Sequence, residues 1–150
     1  MFLDDARKCE LSLRFNQSCE LRRKLHKRAS QNICNQDVRL LSEESEFAGI
    51  RLQKTTSGQH GSDRTYAVPA MAERLGEACG VVLRHPQEKT LWLVGDTIWR
   101  DEVEADMLRL RPDVVVLNAG YAHVIGFGPI IMGKEDVLKA HFVLPEAKIV

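Results

Sequence analysis

A chain of 150 residues carries 21 Lys and Arg against 21 Asp and Glu, for a formal net charge of zero, with 28% charged and 44% hydrophobic residues. These proportions suit one ordinary globular domain, and no apolar run approaches the ~20 residues of a membrane-spanning helix. Met1, Phe2 and Leu3 run directly into Asp4 and Asp5 without developing an apolar signal segment, so a cytoplasmic location is the expectation.

Cys9, Cys19, Cys34 and Cys79 are widely separated and form no C-x-x-C pair. Neither a zinc knot nor a disulfide framework is indicated, and free thiols are expected. Charge is unevenly divided: residues 1 to 30 hold eight Lys/Arg against four Asp/Glu (+4), leaving thirteen against seventeen (−4) beyond. Residues 1–36 form a basic segment, expected to be disordered, whose densest part is Arg22-Arg23-Lys24-Leu25-His26-Lys27-Arg28. That cluster reads either as a targeting or nucleic-acid patch or as a solvated helix face. With no aromatic stacking platform nearby and a neutral chain overall, the solvated face is favoured and no nucleic-acid partner is expected.

From Asp37 the texture changes to short β-rich runs. Val38-Arg39-Leu40-Leu41 comes first, then Ala48–Lys54, in which Ile50 and Leu52 alternate with Arg51 and Gln53 as a half-buried strand requires. Residues 55–77, with Gly58, Gly61, Pro69 and Gly76, read as one long loop. Cys79–Arg84 and Thr90–Val94 are strand-like and flank His85-Pro86-Gln87-Glu88-Lys89, which suits a hairpin connection. The second run delivers Gly95-Asp96-Thr97 at its carboxyl end, and strand tips are where sheet enzymes place their chemistry.

Asp101 is placed to cap a helix in which Val103, Met107 and Leu110 recur at i, i+4 and i+7, until Arg111-Pro112 ends it. Val114-Val115-Val116-Leu117-Asn118 is a continuous apolar run of the kind covered on both faces, again closed by a polar side chain. Gly133–Val143 reads as a short helix stopped before Pro145, and Lys148-Ile149-Val150 enters a further strand on which the chain looks unfinished.

His60 and Asp96 are ligand types for a cation that lowers the pKa of a bound water from 15.7 to about 7. A stable zinc site takes at least three protein ligands, and by composition alone His60 reads as a solvated turn residue and Asp96 as a turn former. His85 is expected to be exposed in its turn, and His141 to be partly packed beside Val137 and Phe142. His123 is a candidate pocket residue. Trp92 is expected in the core, and Trp99 either in the core or in a pocket wall. Gly58-Gln59-His60-Gly61 lacks the spacing of a phosphate-binding loop, and no G-x-S-x-G elbow is present.

Gly58-Gln59-His60-Gly61, Gly80-Val81-Val82, Thr90–Thr97 and Pro112–Gly120, in that order and spacing, resemble the later part of a metallo-β-lactamase-fold hydrolase, closest to the ascorbate-phosphate-lactonase-like group. The resemblance covers about residues 37–150. It implies an α/β chain forming mostly the later half of an αββα sandwich, with zinc or another divalent metal at one edge. His60 then matches a metal-binding histidine and Asp96 the carboxylate that bridges or contacts a second metal. Asn118 and the loop through His123 match the rim, to which Trp99 is a further candidate from its place after the Asp96 loop, and no residue is assigned as catalytic. Hydroxide activated by the metal would attack an ester, lactone or related bond of a small-molecule substrate.

The family's H-x-H-x-D-H and its closing histidine are absent from the 150 residues. A truncated, impaired family member with weak or absent metal binding is therefore expected. The alternative is a non-catalytic interaction or regulatory remnant that self-associates through an uncovered sheet.

Overall fold

The computed structural model describes residue 41 and residues 43–150. The basic cluster, the first three cysteines and Val38-Arg39-Leu40 lie outside the described residues. Strands Glu44–Phe47 (β1) and Ile50–Thr55 (β2) form a hairpin in which Phe47 faces Ile50. The pattern puts Ala48 and Gly49 in the second strand; they are its turn, with φ of 52° and 80°, the left-handed pair that matches strand twist in a two-residue hairpin. The pattern also leaves β1 unmarked, because Glu44-Ser45-Glu46 shows no apolar alternation and the strand is held by backbone pairing along one edge.

Residues 55–77 are not one loop. They contain the short helices Asp63–Tyr66 (α1) and Pro69–Leu75 (α2). Neither is long enough to display an apolar period, and Pro69 opens α2 at the position where a missing N–H costs nothing. The expected antiparallel pair follows as Gly80–Arg84 (β3) and Leu91–Leu93 (β4), with Val82 opposite Trp92.

Helix Asp101–Leu110 (α3) leads into Val114–Val116 (β5), which lies parallel to β4. Asp101 is the first helical residue and Arg100 occupies the cap position without a side-chain cap bond; the Asp101 carboxylate still sits in the first turn, where the helix dipole favours it. A small hairpin, His123–Val124 (β6) with Gly128–Pro129 (β7), precedes helix Lys134–Val143 (α4) and strand Lys148–Ile149 (β8), which is parallel to β5. The main sheet has the order β1-β2-β3-β4-β5-β8.

Register aligns Val82, Trp92 and Val115 in one row across three strands. Val103, Met107 and Leu110 of α3 and Ala140 of α4, with Leu144 just beyond it, close over that row to form the core. Trp92 is fully buried, as expected, and donates its indole N–H to the buried Thr55 hydroxyl at 3.3 Å. Only one face of β5 is fully covered among the described residues: Val115 is buried, whereas Val114 and Val116 are half-buried. His141, expected to be partly packed, is exposed. Helix α4 turns Ala140 inward, and the next residue lies about 100° further round, on the outer side. No helix among the described residues is long and apolar enough to cross a membrane.

Candidate functional site

Strand β2 is antiparallel to β3, β3 is antiparallel to β4, and β4 is parallel to β5. Consequently β2, β4 and β5 run the same way and their carboxyl ends share one edge. The loops leaving those ends carry His60, Asp96 and Asn118, so three segments far apart in sequence meet there.

His60 Nε2 lies 3.9 Å from Asp96 Oδ2. Asn118 Nδ2 donates to the other carboxylate oxygen, Oδ1, at 2.5 Å, so Oδ2 remains turned toward the imidazole. A separation of 3.9 Å is too long for a hydrogen bond. It is below twice a metal–ligand distance of about 2.1 Å, so one cation can touch both atoms. His60 is buried, contrary to the solvated turn that composition suggests; its loop is drawn in against the Asp96 loop, with Gly58 close to Thr97 and Ala78 and Gln59 bonded to Thr97 and Ile98.

Burial lowers the His60 pKa, and the negative charge of Asp96 opposes that shift. Nδ1 is buried without a hydrogen-bond partner, a state that costs roughly 1–3 kcal/mol. A partner for Nδ1 would relieve that cost.

The approach of the two loops depends on small residues and one hydroxyl. Gly58 lies so close to Thr97 that a Cβ there would come within 3.1 Å of the threonine Cβ. The Gln59 N–H donates to Thr97 Oγ1 at 2.8 Å, and the Ile98 N–H donates to the Gln59 carbonyl at 3.0 Å.

A polar layer outside this contact braces the His60 loop against α3. Gln59 Nε2 donates to Asp63 Oδ1 at 3.0 Å, and Arg100 Nη1 donates to the same oxygen at 3.1 Å. The same guanidinium grips both Glu102 oxygens, at 3.1 and 2.9 Å. Hydrogen bonds from Gln59 and then Arg100 lower the Asp63 pKa, and Arg100 lowers that of Glu102. Carboxylates with depressed folded pKa values contribute stability above their unfolded pKa and lose it as pH falls through the folded value. The stability difference between wild type and Arg100→Gln in urea unfolding is therefore expected to be present at neutral pH and to shrink on acidification and in 1 M salt. A difference independent of both conditions would show that packing, and not charge, gives Arg100 its effect.

The remaining sequence candidates make other contacts. Trp99 packs against the core, with the Lys139 ammonium 5.7 Å from its ring centroid. His123 is exposed on β6, its Nδ1 lies 2.7 Å from the Tyr121 carbonyl, and its ring meets Tyr121 edge-on at 4.3 Å. It therefore engages Tyr121 and not the Asp96 carboxylate. His85, expected to be exposed, is half-buried against Gly49 of the first hairpin. Thr97, Asp63 and Arg100 were not legible as site residues; the one local signal is Thr97, a polar residue directly after the glycine-hinged aspartate.

Among the described residues, no group of three or more His, Cys, Asp or Glu could hold a metal ion. His60 and Asp96 thus supply two positions suited to a divalent cation and do not close a site by themselves.

No protein-family model matches the chain. It is similar to the UPF0173 protein YddR of Bacillus subtilis (strain 168), with 37% identity over 114 residues, covering 76% of this chain and 42% of the relative. Among solved structures it resembles an isothiocyanate hydrolase from Delia radicum gut bacteria at 42% identity and a TM-score of 0.74, covering 85% of this chain and 48% of that one. A possible metal-dependent hydrolase from Veillonella parvula DSM 2008 matches at 42% identity and a TM-score of 0.76, covering 89% of this chain and 49% of that one. The chain spans about half the length, or less, of these relatives. Its mixed sheet, its flanking helices and this likeness together give it an α/β fold similar to metal-dependent hydrolases of the metallo-β-lactamase type.

Proposed function

We propose that the chain carries one corner of the active site of a metal-dependent hydrolase, with His60 and Asp96 as metal ligands and Asn118 orienting the aspartate. The observation that carries this reading is the buried His60 ring facing Asp96 Oδ2 at 3.9 Å while Asn118 occupies the other oxygen. A divalent cation, zinc in this reading, supplies Lewis acidity and lowers the pKa of bound water toward neutrality. The chain's own residues offer a buried imidazole and a carboxylate oriented by Asn118 at the edge where three strands end.

The substrate class is a small molecule with an electrophilic carbon: an ester, a lactone as in the lactonase-like group, or the carbon of an isothiocyanate, on which one structural neighbour is named as acting. With two donors among the described residues, this reading expects weak metal binding and impaired activity.

Cobalt titration of the purified chain and of His60→Ala and Asp96→Asn tests the assignment. Weak binding in wild type and none in either variant is expected. Equal binding in all three proteins, or none in wild type, would overturn the ligand roles. Near-stoichiometric zinc retained through purification would overturn the impairment.

A second reading, a non-catalytic remnant that self-associates, is favoured by one feature. Leu52, Leu83, Leu91 and Val114 form an apolar row on the sheet face away from α3 and α4, and each is only half-buried. A compact monomer in sedimentation of the same preparation would count against it.

A further inference from the structure

We propose that Thr97 is the positioning residue that sets His60 opposite Asp96; this rests on reading those two side chains as one cation corner. Thr97 is completely buried, and a buried hydroxyl needs partners. Its oxygen accepts the Gln59 N–H at 2.8 Å, and its single proton faces the Gln59 carbonyl at 3.1 Å and the Ile98 carbonyl at 2.8 Å. The Ile98 N–H returns to the Gln59 carbonyl at 3.0 Å, and the Thr97 carbonyl accepts the Met132 N–H at 2.8 Å.

Gln59 immediately precedes His60, and Thr97 immediately follows Asp96. The hydroxyl therefore fastens the two backbones next to the two donor side chains. No helix or ladder does this: the His60 segment lies between β2 and α1, and the Asp96 segment between β4 and α3. Gly58 allows the close approach, and the hydroxyl sets its register. A site of this kind needs its groups held within about 0.5 Å, which the single Ile98–Gln59 backbone bond by itself does not ensure.

The test compares Thr97→Val, which keeps the branched shape and loses the hydroxyl, with Thr97→Ser, which keeps the hydroxyl. Amide exchange at Gln59, the His60 ring signals and cobalt affinity are measured by NMR and absorption spectroscopy, with the His85 and His141 rings as internal controls. In Thr97→Val, Gln59 exchange is expected to accelerate roughly tenfold, the equivalent of one lost hydrogen bond. The His60 ring signals shift or broaden while the controls stay in place, and cobalt affinity falls by about the same factor. Thr97→Ser is expected to restore all three.

A folded Thr97→Val with wild-type Gln59 exchange and an unmoved His60 ring would overturn the proposal. If Thr97→Val does not fold, Thr97→Ser still decides: loss of Gln59 protection with the hydroxyl present would show that the methyl, not the hydroxyl, places the loop. If wild type shows no cobalt spectrum while Gln59 and His60 respond as described, the cation reading falls and the fastening by Thr97 stands.

Discussion

Gly95→Ala is expected to lower the melting temperature by about 10 °C or more, the largest effect of any single methyl group added near the site. Gly95 has φ of +83°, and an L-residue in that left-handed region costs roughly 1–2 kcal/mol. The added Cβ would also overlap the carbonyl oxygen of Cys79, at the entry to β3. That oxygen belongs to backbone and cannot rotate away as a flexible side chain would, so overpacking adds about 1–3 kcal/mol. Asp96 is the next residue, and relief of the overlap displaces its carboxylate from Asn118 and His60. Thermal unfolding followed by circular dichroism checks the prediction; a melting point within about 2 °C of wild type would show that the β4 exit is softer than its geometry implies.

Trp92→Ala should cost about 3–5 kcal/mol in urea unfolding. The indole is fully buried between Val82 and Val115 in strand register, and it belongs to the core that Val103 and Met107 close. Truncation removes the apolar area that joins the sheet to α3. The indole N–H to Thr55 adds a separable contribution. A Trp92→Phe and Thr55→Val double-mutant cycle is expected to give a coupling of about 1 kcal/mol. If Trp92→Ala costs less than about 1 kcal/mol, the helices do not depend on this residue for their seat.

The sequence by itself determined the elements whose side chains have a strong period or a punctuated end. The β3–β4 hairpin, the valine strand β5 and the two ten-residue helices were all legible, because alternation, the i, i+4, i+7 spacing and turn residues are local properties. Asp96 at a glycine-hinged strand tip was legible for the same reason. Strand β1 and helices α1 and α2 were not: one lies at an edge with little to bury, and the others are too short to show a period.

The tertiary structure alone decided what the candidates do. His60 changes from a solvated turn residue to a buried ring only when its loop is drawn against the Asp96 loop. Its approach to Asp96 follows from strand direction, which brings both loops to one edge. Asn118 gains its role because the parallel pairing of β4 and β5 puts their ends side by side. Gln59, which Thr97 fastens, and Asp63, which Arg100 grips, lie 38 and 37 residues away from them. Burial and hydrogen-bond partnership over such separations are set by sheet order and strand direction, which depend on the whole chain packing at once and leave no periodic mark along it.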